Sequence, residues 1–127
     1  MSKSPGHQKW PDHQVSERHL KEKVTVKIDD EVLANSDDVV CVEEDGNPLR
    51  YYFPRSDVRM ELLQPSSTTT ECPFKGVARY FSVSVNGQLL KDAAWSYEEP
   101  YDEHPDLKGR VAFWEEKAPA LSMTVDA

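Results

Sequence analysis

Cysteine is scarce in this 127-residue chain, which has two, Cys41 and Cys72, and no Cys-x-x-Cys anywhere. Zinc takes about four nitrogen or sulfur ligands, usually from closely spaced pairs, so no zinc site is expected. The histidines do not make good the deficit. His7, His13 and His19 recur every six residues, a spacing that matches neither a helical face nor a strand face, and they are expected to be solvated. The acids Glu98, Glu99, Asp102, Glu103 and Asp106 lack the regular spacing of a calcium loop and read as a charged surface loop. No metal and no other cofactor is expected.

Long apolar runs are missing too. No stretch is long enough to cross a bilayer as a helix, and Met1–Lys9 lacks the apolar core of a secretory signal. A cytoplasmic protein is expected, with Cys41 and Cys72 as free thiols in a reducing compartment. Positive charge is in the minority: 15 Lys and Arg stand against 23 Asp and Glu, a formal charge of −8. Nucleic-acid affinity rests on clustered Lys and Arg neutralising phosphates, and the chain has no such cluster. Neither a nucleic-acid nor a membrane partner is expected, and the acid excess reads as a solubility feature.

What the chain does have is alternation. A chain of this length suits one domain with a core large enough to fold without staples. Residues 1–21 are polar apart from Trp10, Val15 and Leu20 and read as an arm, in which Pro11–Leu20 forms either a short helix or a disordered extension. From residue 22 to 127 a single β domain is expected. Val24, Val26 and Ile28 alternate with Thr25 and Lys27, and further strands are read at Val32–Ala34, Val39–Glu43 and Leu49–Phe53. Ser56 is placed to cap a short helix reaching Leu63. A long strand at Val77–Val85 runs into Asn86-Gly87, the best hairpin signal in the chain, and returns from Gln88 toward Tyr97. Strands at Arg110–Trp114 and Leu121–Val125 complete seven or eight. The fold class is all-β with one short helix, either a small barrel or two packed sheets.

The segment Thr68-Thr69-Thr70-Glu71-Cys72-Pro73-Phe74-Lys75-Gly76 gathers hydroxyls, a lone thiol and a cation into one turn-forming stretch. Cys72 is the obvious nucleophile. Lys75 is placed to lower its pKa, and His104 to serve as acid or base with Asp102 or Asp106 orienting it. The competing structural reading makes Cys72 a small buried residue and leaves Lys75 solvated. Aromatic residues supply the other signal. Adjacent aromatics on a strand face opposite ways, so one each of Tyr51/Tyr52 and Tyr80/Phe81 lines a concave face or meets solvent while the other enters the core. Tyr52, Tyr80, Trp95 and Tyr97 would then form an aromatic wall, with Arg55 and Lys75 as a cationic rim for a small anionic or planar ligand. Pure core packing is the alternative.

Three strings, Arg50-Tyr51-Tyr52-Phe53-Pro54-Arg55-Ser56-Asp57-Val58, Thr69–Gly76 and Ala94-Trp95-Ser96-Tyr97-Glu98-Glu99-Pro100-Tyr101, resemble the domain-of-unknown-function 427 family over residues 22 to 117. Pro5–Pro11 also resembles the arm of one branch of that family. The resemblance implies a compact fold similar to the β-tent group, which includes the B-type methionine sulfoxide reductases and the thalidomide-binding domain of cereblon. Many of those relatives carry a zinc clasp of two Cys-x-x-Cys turns. This chain has neither turn, so its fold is expected to rest on its hydrophobic core. Tyr52, Pro54, Asp57, Cys72, Lys75, Gly76, Tyr80, Trp95, Tyr97 and Pro100 match the family pattern and mark a shared pocket. Three functions follow as expectations. The first is a binding module for a small ligand or peptide, and the second a thiol-dependent enzyme centred on Cys72. The third is a nucleotidyltransferase-like activity, for which the Gly-Ser motif with paired aspartates is missing.

Overall fold

The computed structural model describes residues 4–116 and 121–126. Among them are one short α-helix, α1 (Pro5–Lys9), and ten strands. These are β1 (Val15–Leu20), β2 (Lys23–Ile28), β3 (Glu31–Ser36), β4 (Val39–Glu44), β5 (Arg50–Tyr52), β6 (Leu63–Cys72), β7 (Gly76–Val85), β8 (Gln88–Ser96), β9 (Val111–Phe113) and β10 (Leu121–Asp126). All ladders are antiparallel, in the orders β1-β4-β5, β10-β2-β3 and β6-β7-β8-β9. Of the two expected architectures the sandwich is the one formed, and no barrel closes among the described residues.

Two of the sheets run on into each other. Phe53, just past β5, pairs with Val111 of β9 through reciprocal backbone hydrogen bonds of 2.8 and 2.9 Å. The strands therefore follow the order β1-β4-β5-β9-β8-β7-β6 in one curved layer. Register shifts lie in β6–β7 between Pro65 and Thr69, and in β7–β8 between Phe81 and Val83. Bulges of this kind bend a strand and raise its twist, which curls the layer. Asp92, at φ 53°, sits opposite the second shift and donates its backbone N–H to Ser82 Oγ.

Period two explains both faces of that layer. Val39, Phe53, Phe81, Ala94, Val111 and Phe113 point one way and pack on Val24, Val26, Ile28, Leu33 and Leu121 of the β10-β2-β3 sheet. Phe53, Val83 and Val111 are fully buried there, each worth about 1.5–3 kcal/mol of transfer free energy. Their neighbours Val40, Tyr52, Trp95 and Ala112 point the other way and form a second, aromatic cluster. The hairpin turns follow the residues that tolerate positive φ: Asn86 at 52° with Gly87 at 76°, and Asp29 at 53° between β2 and β3.

Local expectations fail where tertiary pairing outweighs propensity. Pro11–Leu20 forms no helix. Its apolar residues are too few for a helical face, and Val15–Leu20 instead pairs in register with Glu44–Val39 as β1. The helix is earlier, at Pro5–Lys9, capped by Ser4. The helix expected from Ser56 to Leu63 is replaced by two single 3₁₀ turns, Arg55–Asp57 and Met60–Leu62. Between them Val58 is extended and bridges Ala34, while Asp57 accepts from Ser36 Oγ at 2.6 Å. The threonines 68–70 lie in β6 rather than in a turn, consistent with β-branched propensity, and only residues 73–75 make the bend.

Candidate functional site

The second face of the curved layer does not pack solid. It surrounds a hollow of about 240 Å³ to which β4, β5, β6, β7 and β8 contribute. Register decides which side chains arrive. Val42 is paired with Arg50, Val40 with Tyr52, and Tyr80 with Trp95, so each pair shares the inward face. Cys72 ends β6, Tyr97 follows β8 and Trp114 follows β9 on the same lining.

The aromatic residues form a continuous wall. Trp95 meets Tyr52 edge-on at 6.3 Å between centroids, Trp114 at 6.1 Å and Tyr80 at 6.3 Å. Trp95 Nε1 donates to Tyr52 Oη at 3.1 Å. Tyr80 Oη is 3.1 Å from Thr70 Oγ1, which ties the wall to β6. Tyr97 is 6% exposed and lines the hollow. Burial raises the pKa of Tyr97 well above the ordinary phenol range, with the nearby Tyr52 adding to it, so the phenol stays protonated. Burial does the same to Tyr52, and the hydrogen bond from Trp95 only partly opposes it.

Charge on the wall is mostly compensated. Lys75 Nζ donates to Glu44 Oε1 at 2.5 Å and lies 5.9 Å from the Tyr97 ring centre. The other oxygen of Glu44, Oε2, is 3.0 Å from His13 Nε2. Burial alone would raise the pKa of Glu44, but the hydrogen bonds from Lys75 and His13 outweigh it and hold the carboxyl below its usual range. At the mouth, Arg50 lies 5.4 Å over the Trp95 ring and donates to Glu116 at 2.7 Å.

Of the residues singled out in the sequence, Tyr52, Cys72, Lys75, Tyr80, Trp95 and Tyr97 meet at this hollow. Arg55 does not. Its Nε donates to the Gly109 carbonyl at 2.6 Å and its Nη2 to Ser96 Oγ, which pins the loop before β9. His104 is also elsewhere: 2% exposed, it is hydrogen-bonded through Nδ1 to Glu17, with Nε2 2.8 Å from His7 Nε2. Its orienting carboxylate is thus Glu17 and neither Asp102 nor Asp106. His7 and His13 are not the solvated residues expected, since both are half-buried against Phe74, His13 stacked at 4.2 Å. Sequence reasoning missed Arg50, Glu44, Trp114 and His13. Parity with Tyr52 could have found Arg50, and parity with Val42 could have found Glu44.

The turn Cys72–Gly76 is two-sided. Cys72 and Lys75 border the hollow, whereas Pro73 and Phe74 hold the arm. Gly6 N–H donates to the Pro73 carbonyl at 2.7 Å, and Ser4 Oγ donates to it at 2.6 Å. Among the described residues no group of three or more His, Cys, Asp and Glu side chains is placed to hold a metal ion. No helix among the described residues is long and apolar enough to cross a membrane.

These features define an all-β sandwich with an aromatic hollow on the far face of its larger layer. The family described as a domain of unknown function, DUF427, matches residues 17–125, and the chain belongs to that family. Comparison with curated proteins gives no match.

Proposed function

We propose that this protein is a binding module whose hollow takes one small, flat, ring-bearing ligand, either a free molecule or a side chain of a peptide. The observation that carries the reading is the hollow itself, which does not fill with side chains although Tyr52, Tyr80, Trp95, Tyr97 and Trp114 all line it. The Tyr97 hydroxyl is a donor on that lining, and a ligand carbonyl or other acceptor that takes its hydrogen bond gains about 0.5–1.5 kcal/mol. The flanking rings of Trp95, Tyr52 and Tyr80 offer faces and edges for stacking. The volume is below the roughly 300–1,000 Å³ of sites for drug-sized molecules, which limits the occupant to one or two rings.

A thermal-shift screen of small planar metabolites tests the reading. Stabilising compounds are expected, and Trp95→Ala removes their effect. Because Trp95 is buried, Tyr97→Phe serves as the gentler variant: it keeps the ring and weakens only compounds with an acceptor group. Silence across a broad library, with the wild-type protein folded, contradicts the proposal.

Cys72 chemistry is the second reading, favoured by the shared position of Cys72 and Lys75 on the hollow. It lacks a base there, because His104 is committed to His7 and Glu17.

A further inference from the structure

Both cations on the hollow are ion-paired, and they differ in burial and in the shape of what each has left to offer. Lys75 is matched by Glu44, which is itself held by His13. Arg50 is different. Its guanidinium carries five N–H donors in a planar fork, yet a single contact, Nη1 to Glu116 Oε1 at 2.7 Å, is its hydrogen bonding among the described residues. The Arg50 side chain is 18% exposed, whereas that of Glu116 is 51% exposed. The acceptor therefore approaches from solvent and leaves the rest of the fork uncommitted. The cation–π contact with Trp95, at 5.4 Å from the ring centre, places the guanidinium at the rim of the aromatic wall.

We infer that Arg50 determines specificity at this site, and that the ligand is a small aromatic acid whose ring enters the hollow while its carboxylate takes the Arg50 fork in place of Glu116. This rests on the binding reading given above. A carboxylate matches the guanidinium fork in a way that a neutral amide does not, because two parallel charge-assisted hydrogen bonds form. Glu116 acts as a resident competitor: its exposed carboxylate keeps Arg50 compensated when the site is empty, and is free to swing into water when a ligand acid arrives. Glu115, half-buried beside it, also bears on Arg50. The inner end of the hollow, with its Lys75–Glu44 pair and the Tyr97 hydroxyl, offers no second free cation among the described residues.

Matched pairs test this on the full chain: benzoate against benzamide, and indole-3-carboxylate against indole-3-carboxamide, titrated by tryptophan fluorescence. The acid of each pair is expected to bind about tenfold more tightly than its amide. Arg50→Gln should bring the ratio of acid to amide affinity down to about one, and Arg50→Lys should restore only part of it. Glu116→Gln should strengthen acid binding several-fold and leave the amide unchanged. Acid and amide binding alike to the wild type, or a preference that survives Arg50→Gln, overturns the role of Arg50 while the hollow stands as a binding site. Binding of neither member of either pair contradicts this inference together with the reading beneath it.

Discussion

Lys75 and Glu44 meet at 2.5 Å on the wall of the hollow, the ammonium from the bend after β6 and the carboxylate from the end of β4. Their side chains are 10% and 11% exposed. The pair links the β6 end of the curved layer to β4, one strand in from the other end, and extends through Glu44 to His13 and through His13 to Phe74. A cation that the sequence marks as an anion-binding rim is thus part of the wall's own framework.

That framework sets a pH dependence. Glu44 titrates below its unfolded value, so its contribution to stability is present at neutral pH and is lost as pH falls through the carboxylate range. Glu44→Gln strands Lys75 and is expected to cost about 3 kcal/mol at neutral pH, the lower end for breaking a buried pair, because the hollow is open to solvent. Urea unfolding of both proteins between about pH 3 and about pH 7 checks this. The gap between them should narrow toward acid, and a gap that is constant or widens contradicts the assignment.

Tyr52→Phe isolates the wall's internal hydrogen bond. It leaves Trp95 Nε1–H without its acceptor in a buried position and should lower stability by about 1–3 kcal/mol. Val77→Ala, on an exposed side chain, provides the reference and should change stability by less than about 0.5 kcal/mol. Equal denaturation midpoints for the two variants would show that the bond contributes nothing.

Gly6 is where the arm meets the body. A Cβ there would lie 2.6 Å from the Pro73 carbonyl oxygen and 2.8 Å from Phe74 Cδ1, so Gly6→Ala must lift α1 away from the turn. Faster hydrogen exchange at the Gly6 and Trp10 amides is expected, with the β7 and β8 amides unchanged. Unaltered protection at Gly6 would mean that the contact yields without undocking.

The two thiols should differ. Cys41 is 4% exposed and Cys72 half-buried on the hollow, so iodoacetamide is expected to modify Cys72 first. With Lys75 taken by Glu44 and His104 remote from the hollow, its rate should not exceed that of a free peptide thiol. A much faster reaction that depends on Lys75 would favour the thiol-enzyme reading instead.

Strands carried by strict alternation were legible in the sequence: Val24-Val26-Ile28 and the Val77–Val85 run through Asn86-Gly87 appear where periodicity puts them. Six of the eight candidate site residues share the hollow: strand parity brings Tyr52, Tyr80 and Trp95 there, and Cys72, Lys75 and Tyr97 arrive from the end of β6, the bend after it and the end of β8. Arg55 and His104 were illegible because each depends on a partner distant in sequence, Gly109 for one and His7 with Glu17 for the other. β1 was illegible for a related reason. Val15–Leu20 is a strand only because β4 offers it a ladder, and neither its composition nor its single proline neighbour announces one.

The central claim is that the hollow behind Trp95 receives a ligand, and the three tryptophans report on it independently. Trp95 and Trp114 border the hollow, whereas Trp10 is 49% exposed beside Phe74 on the arm. Indole N–H cross-peaks followed in a ¹H–¹⁵N titration with indole-3-carboxylate should move for Trp95 and Trp114 and stay fixed for Trp10. Saturable movement of Trp10 alone, or no movement of any of the three, would contradict the account.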